Sequence, residues 1–207
     1  MPKVWADNEE VLFNEGIPDN SQQIYELLMG ALSEQRRAVV EFLVDGEDAL
    51  ASNSFPEKFD VIKASSMTHD EITLRLTKAT LEQTEKLDVE IDAYSKNILS
   101  TPWSVVVKQM DQFISKIQPF ADLIDNVSPY ANAYNPEWAS SLNDIAKEQA
   151  NCLTFILQAF ENNNPASLSD EIGVTFLPLI KKIKNLFLND VIPQLEEMVN
   201  LATNPAS

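Results

Sequence analysis

The sequence predicts an α+β chain: a small mixed unit over residues 1–66, then an antiparallel four-helix bundle over residues 67–207. Two observations carry this expectation. Up to the mid-sixties, β-branched and aromatic runs end in turn dipeptides. Beyond them, apolar residues recur in steps of four and three along four long segments. At 207 residues the chain can form one domain or two small ones, and it needs no disulfide or metal to hold a core.

The first element is a hairpin. Lys3-Val4-Trp5-Ala6 and Glu9-Glu10-Val11-Leu12-Phe13 flank Asp7-Asn8, residue types that tolerate the positive φ of a tight turn. Pro18-Asp19-Asn20-Ser21 then offers N-caps, and Ile24, Leu27, Leu28, Ala31 and Leu32 predict an amphipathic helix over 21–34. Ala38-Val39-Val40-Glu41-Phe42-Leu43-Val44 followed by Asp45-Gly46 is a strand entering a hairpin, with Glu47-Asp48-Ala49-Leu50 as a short return. After a loop at Ser52–Pro56, Phe59–Ala64 is a further strand. The competing reading is all-α, with one helix from Ser21 to about Ala51 on a seam of Ile24, Leu28, Ala31, Gln35, Ala38 and Phe42. The β-branched run closed by Asp45-Gly46 favours strands.

The order strand, strand, helix, strand, short strand, strand resembles the β-grasp, or ubiquitin-like, layout. The resemblance covers about the first 66 residues and implies a fold. The chain ends Asn204-Pro205-Ala206-Ser207 without a di-glycine tail, so conjugation and sulfur-carrier activity are not implied.

The bundle helices follow. Thr68-His69-Asp70-Glu71 is a capping box opening a helix to about Ser100, with Ile72, Leu76, Ala79, Gln83, Leu87, Ile91, Tyr94 and Ile98 facing inward. Thr101-Pro102 opens the second, whose seam runs from Val106 through Met110, Phe113, Ile117, Phe120 and Ile124 to Val127; Pro119 should kink it. Asn135-Pro136-Glu137 opens the third, with Trp138, Leu142, Ile145, Gln149, Cys152, Ile156 and Ala159 inward, stopped by Asn162-Asn163-Asn164-Pro165. The fourth follows Ser167 or Ser169, and Pro178 and Pro193 should bend or split it. Short connections predict up-down-up-down topology.

Charge narrows the partners. Fifteen Lys and Arg stand against 32 Asp and Glu, a net charge of −17. Nucleic-acid binding needs cations that neutralise phosphates, and the same deficit disfavours anionic membranes. Lys181, Lys182 and Lys184 form the tightest basic cluster, read as a stripe pairing with acidic neighbours. No apolar run reaches the roughly 18 residues of a membrane span. The opening Met1-Pro2-Lys3-Val4-Trp5-Ala6-Asp7 lacks a signal-peptide core, and one cysteine makes no intramolecular disulfide; a cytoplasmic protein is expected.

Catalytic constellations are sparse. His69 is the only histidine and sits at a helix start, without the partnered nucleophile that a triad requires. Cys152 falls on an inner stripe, where a thiol acts as a small hydrophobe. One Cys and one His cannot supply a zinc site, no Glu-x-x-His occurs for a di-iron centre, and the four glycines form no phosphate loop. Asp88/Asp92 and Asp144/Glu148 are i,i+4 carboxylate pairs, read as solvated faces. No enzyme, metal or cofactor is expected.

Two groups remain as candidate sites. Tyr130, Tyr134 and Trp138 cluster at the turn between the second and third bundle helices, where they form either a domain junction or a partner surface. Gln83 and Gln149 on inner stripes are candidates for a polar layer that sets bundle register. The expected function is a non-catalytic protein–protein interaction or assembly protein, binding through a sheet edge or the bundle grooves. The alternative is an acidic chaperone or adaptor for a secretion or surface-appendage subunit. A protein partner is expected, nucleic acid and membrane are not, and a homo-oligomer is left open.

Overall fold

A computed structural model describes residues 2–14 and 16–203. The chain end Asn204-Pro205-Ala206-Ser207 and the opening Met1 lie outside the described residues. The structure is α+β and divides into two compact units, Met1–Ile72 and Thr73–Ser207.

The first unit is a five-stranded sheet. The elements are β1 Lys3–Ala6, β2 Glu9–Glu10, α1 Ser21–Ser33, β3 Arg37–Val44, β4 Glu47–Asp48, α2 Ala49–Ser52 and β5 Val61–Thr68. The strand order is β2-β1-β5-β3-β4. Central β1 and β5 run parallel, and the other pairs are antiparallel. The arrangement is β-grasp-like, and the all-α alternative falls: residues 38–44 are strand. Asp7, Asn8, Asp45 and Gly46 have φ of 50°, 70°, 52° and 93°, the left-handed geometry that tight hairpin turns demand. Asp45 does more than turn. Its Oδ1 accepts the Val61 amide at 2.7 Å, and it also accepts the Asp60 amide, tying the hairpin to the start of β5.

The core of this unit follows from alternation. Val4, Ile62 and Ala64 point inward, while Lys63 between the last two stays exposed. β3 departs from strict alternation. A bulge between Val39 and Glu41 shifts the phase, so Val39 and Phe42, three residues apart, are both buried. α1, capped by Asn20 on the Gln23 amide, adds Ile24 and Leu28 to the same core. The expected return strand is only two residues, because Asp48 accepts the Leu50 and Ala51 amides and starts α2.

The rest is helical: α3 His69–Gln83, whose first turn still belongs to the first unit, α4 Leu87–Ile98, α5 Trp103–Tyr134, α6 Ala139–Glu161, then a long run containing α7 Pro165–Asp170, α8 Leu177–Leu186 and α9 Ile192–Thr203. The capping box is present: Thr68 Oγ1 accepts the Glu71 amide at 3.1 Å, and Glu71 accepts the Thr68 amide at 2.7 Å. The helix expected over 68–100 is broken at 84–86. Thr84 Oγ1 donates to the Thr80 carbonyl, and Lys184 Nζ donates to the Glu85 carbonyl at 3.0 Å. A threonine hydroxyl competing for backbone, and an ammonium that satisfies a helix-end carbonyl, together stabilise the break. The inward face of α3 is also one residue out of phase with the expectation. Thr73, Thr77, Thr80 and Thr84 are buried, while Ala79 and Gln83 are exposed.

α5 runs unbroken through Pro119 and Pro129. Asn135, at φ 46°, is the left-handed C-cap of α5 and not the N-cap of α6, which starts later at Ala139. The last helix starts earlier than expected, because Asn164 caps the Ser167 amide and Pro165 takes the first position. Pro178 and Pro193 do not split it. Each is preceded by a π-helical turn, Glu171–Phe176 and Phe187–Val191. A proline has no N–H for the carbonyl four residues back and clashes with it, and a widened turn accommodates both. α4, α5, α6 and the last helical run pack as a ring of neighbours, α4 on α5, α5 on α6, and α7–α8 on both α6 and α4. Among the described residues, no helix is long and apolar enough to cross a membrane.

Candidate functional site

Tyr130 and Trp138 are buried in the helical unit's own core, and Tyr134 is half-buried. The Tyr130 and Trp138 rings stack at 6.0 Å and 8°, and Tyr134 lies 4.7 Å from Tyr130. Tyr130 Oη reaches Met198 Sδ of α9 at 3.8 Å. The cluster therefore fastens the α5–α6 turn to the last helix, and the Tyr130 and Trp138 rings show little face to solvent. Trp138 Nε1 is buried without an acceptor.

The two glutamines do not form a layer. Gln83 is exposed at the end of α3, as the threonine phase of that helix requires. Gln149 is half-buried on α6, and its Oε1 is buried without a donor.

The carboxylates singled out from the sequence are engaged by lysines. Both i,i+4 carboxylate pairs are neutralised by lysines: Asp88 by Lys184 at 2.9 Å, Asp92 by Lys96 at 2.6 Å, Asp144 by Lys147 at 3.7 Å and Glu148 by Lys182 at 2.5 Å. Lys184 lowers the Asp88 pKa through its hydrogen bond, which outweighs burial. Burial pushes the Cys152 thiol up, and Glu148 and Glu171 push it further, the opposite of an activated nucleophile. His69 donates its backbone amide to the Arg36 carbonyl at the start of α3. Among the described residues, no three His, Cys, Asp or Glu gather to hold a metal ion.

In the first unit Asp7 is the most engaged carboxylate. Burial alone would raise its pKa, but the Ser66 hydroxyl and amide (2.5 and 2.7 Å) and the Arg37 guanidinium (3.1 Å) outweigh it and hold it below the usual range. A lowered folded pKa makes a contribution that is present above the usual carboxylate range and lost as pH falls through the folded value. The stability difference between the natural chain and Asp7→Asn is therefore expected to shrink on titration from pH 7 to about pH 2 in thermal melts. A constant difference would show that the charge of Asp7 does not matter.

The sheet edge expected to bind partners offers little. Both edge strands are two residues long, Glu9–Glu10 and Glu47–Asp48, and all four side chains are acidic. Short, like-charged edges resist strand addition.

The surface that stands out was not singled out from the sequence. A groove of about 400 Å³ runs between α5 and α6. α5 supplies Val107, Met110, Asp111, Phe113, Ile114 and Ile117, and α6 supplies Leu153, Ile156, Leu157 and Phe160. Asp111 is the one polar residue among them. Met110, Phe113, Ile117 and Ile156 are buried beneath, whereas Val107, Ile114 and Leu157 are 41%, 47% and 55% exposed. Trp103 meets Phe160 at 5.6 Å beside the groove, the rings tilted by 41°. The signal was present as apolar doublets: Val106-Val107, Phe113-Ile114 and Ile156-Leu157 widen the seam beyond what one core needs.

No protein-family model matches the chain, and neither the curated proteins nor the solved structures contain a match to it.

Proposed function

We propose that this is a non-catalytic interaction or assembly protein, which docks another protein surface on the α5–α6 groove of its helical unit. One observation carries the reading: nine apolar side chains line an open groove, and three of them, Val107 and Ile114 on α5 and Leu157 on α6, are substantially exposed. Val107 and Ile114 are seven residues apart, two turns along one face of α5, with Asp111 between them, so an incoming helix meets apolar side chains on either side of a single carboxylate. Exposed apolar side chains gathered in one groove, on a chain this charged, favour docking of another apolar surface there. The partnered carboxylates and the raised thiol are consistent with a protein that does no chemistry of its own. A cytoplasmic setting belongs to the same proposal and is supported by the lone, buried cysteine.

A photo-crosslinking residue placed at position 157, in cells producing the chain at native level, is expected to give a covalent protein adduct. The same probe at exposed position 147 is expected to give none. If position 157 yields no adduct, the groove is not a docking surface and the reading fails.

A further inference from the structure

We propose that the cleft between α4 and α5 binds an uncharged, hydroxyl-rich small molecule about the size of one sugar ring. The inference does not depend on the docking reading above.

Helical spacing gathers the polar side chains. Glu90, Tyr94 and Asn97 recur in steps of four and three on α4, and Gln109, Gln112 and Lys116 in steps of three and four on α5. The two rows line one cavity of about 200 Å³, whose wall is completed by buried Leu87, Ile91 and Phe113. Sites for drug-sized ligands start at about 300 Å³, so the occupant is smaller.

The cavity holds unmet hydrogen-bonding capacity. Tyr94 Oη is buried without a partner. The Tyr94 ring stacks on Phe113 at 5.1 Å and 21°, which holds the hydroxyl in place. Burial raises its pKa, so it stays protonated at neutral pH and can donate. A hydroxyl sealed from bulk solvent and bonded to nothing costs stability, and such atoms call for a partner. Among the described residues, the side chains of Asn97, Gln109 and Gln112 make no hydrogen bond either. Four uncommitted polar groups therefore surround one small space.

Charge and bonding pattern select the class of ligand. Glu90 and Lys116 pair at 2.8 Å and the other lining residues are uncharged, so an ionic ligand finds no free counter-charge. Carboxamides and hydroxyls each donate and accept, and so does every hydroxyl of a polyol. The C–H groups of such a ring suit the apolar side formed by Leu87 and Ile91. A flat base binds by stacking, whereas Tyr94 and Phe113 already stack on each other.

The test is proton–nitrogen NMR of the full chain. The side-chain amides of Asn97, Gln109 and Gln112 are followed during titration to about 20 mM with D-glucose, D-galactose, myo-inositol and, in parallel, adenosine. Saturable shifts at these amides are expected with at least one of the three polyols. Tyr94→Phe is expected to weaken that binding by about fivefold or more while keeping or raising the melting temperature, because it deletes an atom bonded to nothing in the protein. Gln112→Ala, at an exposed position, is expected to weaken it without unfolding the chain. The absence of a saturable shift with any of the polyols overturns the proposal, as does binding indifferent to both substitutions. Adenosine binding more tightly than every polyol overturns the hydroxyl assignment. A marked fall in melting temperature in Tyr94→Phe would show the hydroxyl bonded within the fold, and the argument for a ligand would go with it.

Discussion

Replacing Phe42 with alanine is expected to unfold the first unit while the helical unit keeps its structure. Phe42 is fully buried at the centre of β3. Its ring meets Tyr25 edge-on at 5.4 Å and Phe55 at 6.0 Å, so it joins α1 and the segment after α2 to the sheet. Among the described residues, the core it anchors has nine buried apolar side chains, with partly buried ones packed around them. Truncating a buried Phe costs about 3–5 kcal/mol, from lost transfer energy and the cavity left behind. Small domains hold roughly 5–15 kcal/mol in all, and a unit of this size sits at the low end. Amide hydrogen exchange reads the outcome by region. Protection is expected to collapse in β3 and β5 and persist in α5 and α6, whose side chains belong to a separate core. Uniform loss across the chain, or a loss below about 1 kcal/mol, would contradict this assignment of the core.

The second large effect is expected at Gly173. It lies in the π-helical turn Glu171–Phe176, where α4 comes close. A Cβ built there would sit 3.0 Å from Ser95 Oγ and 3.3 Å from Ser95 Cβ. Ser95 is itself buried and held: its hydroxyl donates to the Asp92 carbonyl, and its own carbonyl accepts from Ser169. Gly173→Val adds two further carbons to that contact. A loss of about 1–3 kcal/mol is expected, as for overpacking elsewhere, despite the helix-propensity gain of replacing glycine. Ser95→Gly is expected to restore part of it in a double-mutant cycle read by thermal denaturation. An unchanged melting temperature in Gly173→Val would mean that the two helices do not approach this closely.

Much of the architecture was legible because the responsible forces are local. Asp45-Gly46 and Asp7-Asn8 announce hairpins because few residues accept positive φ. Thr68 and Glu71 announce a helix start because their reciprocal bonds need only a three-residue separation. The lysine stripe was read as pairing with acidic neighbours, and Lys182 and Lys184 do so with Glu148 and Asp88. The threonine face of α3 was not legible. Hydropathy favours Ile72, Leu76 and Ala79, and whether a threonine turns inward is decided by the surroundings of its hydroxyl: the Thr80 carbonyl accepts that of Thr84, whereas that of Thr77 is buried without a partner. Pro178 and Pro193 predict a bend or a split, and the π-helical turns before them are not legible, since a proline signals a missing hydrogen bond without saying how the chain absorbs it.

The candidate site divides along the same line. That Val107, Ile114 and Leu157 are apolar was written in the sequence; that they remain uncovered was not. By itself the sequence determined periodicity, turn chemistry and the charge deficit, because these depend on residues within a few positions of one another or on a simple sum. Only the tertiary structure decided which of two adjacent apolar positions faces the core, where Tyr130 and Trp138 are buried, and which groove stays open. Those outcomes depend on helices far apart in the chain competing to cover the same surface, and burial belongs to the pair in contact, never to one segment alone.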